Sequence, residues 1–255
     1  MARQELGPFQ KALLSDRRAV AKIYGRARAH IAEVAARGSV EDLVRRSEQV
    51  SRIRAIQKIV RSANREGIPL ATEAAERGYT LGRERIRRDL ARRGITPVAS
   101  VRFNQIHETQ MRILTSNIVE KFQRLPIIIG RQANDLFRQT ALEVLSRRSL
   151  GAREEGAKSI RLDMARELRE NAAGAFIDRA GREWNLDVYT DMVTRTTLRE
   201  AASMGTALET YEQGFDLVEV IGVSAFPDSP FVPFEGDQLS VTGETEGFTS
   251  LEDAR

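Results

Sequence analysis

FNQIHETQMRILTSNIVEKFQRL, residues 103–125, decides how this chain folds. Phe103, His107, Met111, Leu114, Ile118, Phe122 and Leu125 recur at intervals of four and three, which brings side chains onto one face of an α-helix. The stretch predicts a long amphipathic helix with one buried face. His107 lies on that face between Phe103 and Met111, so it reads as a core histidine whose ring nitrogens are satisfied rather than as a catalytic base.

The same interval extends in both directions. Upstream, Phe9, Leu13, Val20, Ile23, Ala27, Ile31 and Val34 form one stripe before Gly38, a stop signal, and Ser39 is placed to cap a second helix. That helix carries Val40, Leu43, Val50, Ile53, Ile56 and Val60 and is expected to break at Gly67 and Pro69. A third helical stretch is expected from about residue 71 to 93, weakened by Gly78 and Gly82 and ended by GITP. Downstream, Pro126 and Gly130 in LPIIIGR mark a turn or a fresh helix start. Leu136, Phe137, Val144 and Leu145, then Ile160, Met164 and Leu168, resume the pattern. After Gly214 the character changes. FDLVEVIGVSAF is rich in β-branched residues and reads as a strand, the prolines from Pro227 to Pro233 make an irregular connection, and DQLSVTG suits a short second strand.

The expected fold is therefore mainly α, with long amphipathic helices in the N-terminal two thirds followed by a small α/β C-terminal module. Three regions follow from composition: 1–150 a basic helical region, 151–214 a helical continuation, and 215–255 a small acidic end containing β-structure.

Charge sharpens the division. Residues 1–150 carry 30 Lys and Arg against 15 Asp and Glu, whereas residues 151–255 carry 10 against 21. A formal net charge of +4 hides this asymmetry. The 41% apolar content can supply a core, and no window approaches 18 consecutive apolar residues, so the chain is expected to be soluble and made in a cytoplasm. The opening MARQELGPFQKALLSDRR lacks the apolar run of a signal peptide. Zero cysteines removes disulfides and thiolate chemistry, and two histidines, His30 and His107, form no metal motif. Phosphate-binding GxxxxGK[ST] loops, GxSxG elbows and HExxH helices are absent, and neither a cofactor nor a catalytic residue is expected.

RERIRRDLARR, residues 83–93, is arginine at six of eleven positions: Arg83, Arg85, Arg87, Arg88, Arg92 and Arg93. Such a helix suits DNA phosphates, an acidic protein surface, or simply solvent. Without interleaved aromatics to stack on bases, any DNA contact is expected to ignore sequence. REWNLDVYTDMVTRTTLREA, residues 182–201, is equally polar. Asn185 or Asp187 can cap a helix there, and Asp187, Asp191, Arg195 and Arg199 stand four apart, as a salt-bridge stripe along one helix would. The competing reading is carboxylate acid/base chemistry around Asp178, Asp187 and Asp191.

The stretch from about 171 to 243, with DRAGREWNLDVYTDMVTRTT, the helix up to GFDLVEV, and PFEGDQLSVTG, resembles the C-terminal part of bacteriophage minor capsid proteins, also called minor head proteins. Asp178, Gly181, Trp184, Tyr189, Met192, Arg195, Thr196 and Thr197 carry most of the likeness and are expected to be structural. The resemblance implies a non-enzymatic virion protein of the phage head, present in a few copies and associated with the portal or capsid interior. It also implies portal or major capsid protein as partner, with packaged double-stranded DNA as a further candidate. No membrane is implied, and host cytoplasm is the expected place during assembly. Relatives often carry histidine and cysteines after the strand. Here VSAFPDSPFVPFEGD has Ser224, Ala225, Phe226, Ser229 and Phe231, which supports packing rather than zinc. Two other readings stand beside this one: a nucleic-acid-processing protein with a carboxylate magnesium site, and a free DNA-binding protein.

Overall fold

The computed structural model describes residues 8–37, 42, 45–98, 104–149, 175–177, 181–220 and 231–254. Four long helices dominate: α1 (Pro8–Ala36), α2 (Arg46–Arg92), α3 (Asn104–Ser149) and α4 (Leu186–Glu212). Among the described residues there are also four three-residue strands, β1 (Ala175–Ile177) and β2 (Glu183–Asn185) before α4, then β3 (Leu217–Glu219) and β4 (Gln238–Ser240) after it, with a 3-10 turn at Val232–Phe234 between the last two. The fold is mainly α with a small strand-containing C-terminal region, as the periodicity predicts. Expectations about Gly38, Ser39, residues 151–170, Asp178 and residues 221–230 lie outside the described residues.

Two breaks expected from the sequence do not occur. α2 runs unbroken through Gly67 and Pro69, and α3 runs unbroken through Pro126 and Gly130. A proline removes one backbone donor, so the carbonyl four residues earlier loses its partner. At Pro126 that carbonyl belongs to Phe122, and the Asn64 side-chain amide donates to it at 2.7 Å. Pro69 lies on an exposed face, where water can serve the carbonyl of Arg65. The glycines answer to close approach instead. A β-carbon on Gly67 would stand 2.7 Å from the Tyr24 ring, and one on Gly130 2.4 Å from the Gln57 amide.

The chain divides into two compact units, residues 1–73 with 116–196 and residues 74–115 with 197–255. In the first, one apolar core gathers Val20, Tyr24 and Ile31 of α1, Ile56 and Val60 of α2, Ile118, Phe122, Leu125 and Phe137 of α3, and Leu186 and Val193 of α4. Burying each such large side chain stabilises by about 1.5–3 kcal/mol. Tyr24 and Phe122 meet edge to face at 5.1 Å, and the Tyr24 hydroxyl donates to Asn64 Oδ1 at 3.0 Å. β1 pairs antiparallel with β2, placing Phe176 opposite Trp184, a hairpin that the sequence reading does not anticipate.

The second unit has a smaller core of Ala75, Tyr79, Leu114 and Ala201, with Met111, Met204 and Leu208 packed on it. Its helices approach unusually closely because glycine faces backbone: a β-carbon on Gly82 would lie 2.1 Å from the Ala202 carbonyl oxygen, and one on Gly205 2.2 Å from that of Tyr79. Beyond α4, β3 pairs antiparallel with β4, aligning Val218 with Leu239. Asp216 ties this end together. Its carboxylate accepts from the hydroxyls of Ser240 (2.5 Å), Thr242 (2.8 Å) and Thr245 (2.5 Å) and from the Thr242 amide (2.9 Å).

Candidate functional site

The arginine-rich segment 83–93 forms the C-terminal end of α2, and helical geometry sorts its cations into two groups. Arg83 and Arg87, one turn apart, both point at Glu209 of α4. Arg83 Nε donates to Oε2 at 2.7 Å and Arg87 Nε to Oε1 at 2.6 Å. Arg83 also reaches Glu212 Oε2 at 3.3 Å, and the Gln213 amide donates to Glu209 Oε1 at 2.9 Å. His107 of α3 closes the group, with Nε2 3.1 Å from Glu212 Oε2 and Nδ1 bonded to the Tyr79 hydroxyl. A proton on Nε2 lets the ring donate to the carboxylate while Nδ1 accepts from the phenol.

This network is water-excluded at its acidic end: the Glu209 side chain is 0% exposed and that of Glu212 2%. Burial alone would raise the Glu209 pKa, but hydrogen bonds from Arg87 and Arg83 outweigh it and hold the carboxyl below its ordinary value. The bond to Glu209 raises Arg87 in turn, and burial pushes the Tyr79 hydroxyl far above its usual range, leaving it a protonated donor. His107, Glu209 and Glu212 offer ligand atoms within 4.8 Å of one another, close enough for one cation. Both Glu209 oxygens and Oε2 of Glu212 are already engaged by guanidinium or imidazole. Two arginines balance two carboxylates there, so the donor set suits an internal ion-pair network, and a metal would have to displace both cations.

The second group faces water. Arg85, Arg88, Arg92 and Arg93 are all exposed. Arg88 Nε bonds the Glu84 carbonyl at 3.2 Å on its own helix, and Arg92 meets Asp89 at 3.3 Å. Solvated pairs of this kind contribute about 0–1 kcal/mol and remain available to a stronger anion.

The positions that carry the sequence likeness fall mostly around the start of α4. Trp184 and Phe176 each pack edge to face on Tyr189, at 5.8 and 5.0 Å, and the Arg182 guanidinium lies 5.6 Å over the Trp184 ring. Gly181 takes φ +78°, a conformation that favours glycine. Met192 packs on the core of the first unit. Thr196 is exposed and bonds back to the Met192 carbonyl at 3.0 Å, whereas Thr197 is buried. Arg195 carries a buried Nε without a hydrogen-bond partner. The salt-bridge stripe expected along α4 is not what forms. Asp191 takes both its bonds from Arg17 of α1, a fork at 2.5 Å each, and Asp187 bonds Arg28 of α1 at 3.2 Å. The Arg17 guanidinium meets both carboxylate oxygens of Asp191 as a fork, the two-bond geometry that is stronger than a single contact.

A protein-family model described as phage minor capsid protein 2 matches residues 49–249. The chain belongs to that family. No curated protein and no solved structure matches it. For this member of the phage minor capsid protein 2 family, membership means a structural role in a phage capsid, within the virion, in assembly with other head proteins. The match spans most of α2, all of α3 and α4, and both strand pairs, well beyond the stretch 171–243 that carries the sequence resemblance. Among the described residues of this minor capsid protein, no helix is long and apolar enough to cross a membrane.

Sequence reasoning missed Glu209, Glu212, Gln213 and Tyr79 of the minor capsid protein as members of one network. The available signal was the spacing of Glu209 and Glu212 on one helix face, acids that a surplus of arginine elsewhere was bound to seek. Nothing local names Arg83 and Arg87 as the partners.

Proposed function

We propose that this protein acts without enzymatic activity in phage head assembly, docking on portal or major capsid protein through its helical body, in multiple copies, with Arg85, Arg88, Arg92 and Arg93 turned toward packaged double-stranded DNA. Assembly in the host cytoplasm precedes incorporation into the virion. The observation that carries the reading is the family match across residues 49–249. The division of the arginines supports the DNA-facing part. Arg83 and Arg87 are consumed inside the protein by Glu209, which anchors the segment, while the other four stay in solvent, where each phosphate they neutralise adds about 0.9 to the slope of log affinity against log salt.

The test is a cryo-EM map of intact particles from the source phage. Density for these helices at the portal vertex or inner shell, with residues 83–93 toward the DNA, is the expected result. A head accounted for in full without this chain would overturn the proposal and favour the nucleic-acid-processing reading. That alternative requires a carboxylate site, and the His107, Glu209 and Glu212 grouping already holds two arginines.

A further inference from the structure

A second basic feature lies in the first unit, apart from segment 83–93. Arg46, Gln49 and Val50 on the first turns of α2 and Asn134 and Arg138 on α3 line an open cleft of about 260 Å³. The spacings of three and four on α2, and of four on α3, set each trio or pair on one helix face, and the two faces line the same space. No carboxylate lines it. Asp42 pairs with Arg45 at 3.7 Å and Asp135 accepts from Asn134 at 3.4 Å, while Glu48, on the first turn of α2, lies outside the lining. Arg46 and Arg138 form no ion pair among the described residues, in contrast to Arg83 and Arg87.

We propose that this cleft is a phosphate-binding pocket that grips the sugar–phosphate backbone of duplex DNA without regard to sequence. Two guanidiniums from facing walls carry the forked N–H donors that phosphate oxygens accept. The Asn134 and Gln49 amides, which already donate to Asp135 Oδ1 at 3.4 Å and to the Phe137 carbonyl at 3.5 Å, complete the polar lining between them. A two-oxygen carboxylate would leave part of that donor set unused. α2 begins at Arg46, so the amides of its first turn, which lack intrahelical acceptors, add their partial positive charge nearby. The proposal rests on reading the chain as a head protein, since the head interior holds the DNA. It adds a contact point that the charge pattern of residues 83–93 does not include.

The experiment measures binding of the full chain to mixed-sequence duplex DNA across a salt series, for the native protein and for Arg46→Gln/Arg138→Gln. Both residues are exposed, and an unchanged thermal midpoint checks that the variant folds. The expected result is a salt slope shallower by about 0.9, a loss of affinity of roughly tenfold that is equal for all sequences, and protection of the native protein's Asn134 side-chain NMR signal shift by millimolar inorganic phosphate alone. An unchanged slope and affinity would overturn it. So would a cleft that takes an acidic peptide in an arginine-dependent way while leaving duplex DNA binding untouched, which would assign the pocket to a protein partner. Loss of this contact with the chain still present in the head map separates failure of the pocket from failure of the structural reading.

Discussion

The side-chain amide of Asn64 donates 2.7 Å to the backbone carbonyl of Phe122, the acceptor that Pro126 leaves without a helical partner. The other end of the same amide receives the Tyr24 hydroxyl at 3.0 Å, so one buried polar side chain joins three helices and repairs the ladder of α3. Asn64→Ala is expected to destabilise by about 2–3 kcal/mol, because it strands a buried carbonyl and a buried hydroxyl together. Restoring the backbone donor with Pro126→Ala should reduce that cost. A double-mutant cycle by denaturant unfolding checks the coupling, and strictly additive effects would contradict it.

The glycines make opposite predictions according to their surroundings. Gly205→Ala and Gly82→Ala place a methyl about 2 Å from main-chain oxygens that cannot move without separating the helices, so each should cost about 1–3 kcal/mol despite alanine's better helix propensity. Gly25, in the middle of α1 with open space around it, should behave the other way: Gly25→Ala gains about 0.5–1 kcal/mol. Thermal midpoints of the three variants decide this by sign alone.

Glu209, itself closed off from water, holds two partly exposed arginines. Replacing it with glutamine removes the negative charge while keeping the volume, and the expected loss is about 2–4 kcal/mol, below the range for fully buried pairs because Arg83 and Arg87 keep some solvent. Arg83→Gln should cost more than Arg87→Gln, since Arg83 also serves Glu212. Millimolar Mn²⁺ or Zn²⁺ is expected to leave the native midpoint unchanged. A metal-dependent rise would show that His107, Glu209 and Glu212 release their arginines to a cation.

At the C-terminal end, burial alone would raise Asp216, but the hydroxyls of Ser240, Thr245 and Thr242 and the Thr242 amide outweigh it and hold the carboxyl well below the usual range. A carboxyl depressed in the native state contributes stability that is complete above its unfolded value, near pH 4, and is lost as pH falls through the lower native value. Asp216→Asn should therefore loosen β3 and β4 by about 1–2 kcal/mol at neutral pH, with the difference from the native protein shrinking as the solution is acidified below about pH 4. Hydrogen exchange at the Thr242 amide, measured across pH, reads this directly.

The stripe from Phe103 to Leu125 made α3 legible, because helical periodicity is a property of neighbouring residues and survives any arrangement of the rest of the chain. The opposed charges of the two halves, the change to β-branched residues after Gly214, and the family likeness around Trp184 and Tyr189 were equally open to reading. Partnership was not, because it depends on residues distant in sequence. Pro126 reads as a break until Asn64 arrives from α2 to replace the missing donor. Gly82 reads as a weak point until the Ala202 carbonyl fills the space its side chain would take. Asp187 and Asp191 have arginines at helical spacing, yet bond Arg28 and Arg17 of α1, and the six arginines of residues 83–93 divide into an internally paired set and a solvent-facing set only because Glu209 stands opposite two of them. Local spacing determined which segments are helical and which faces are apolar. Tertiary packing alone decided which breaks are mended and which charges remain for a partner, since both depend on what the fold brings within hydrogen-bonding distance and removes from water.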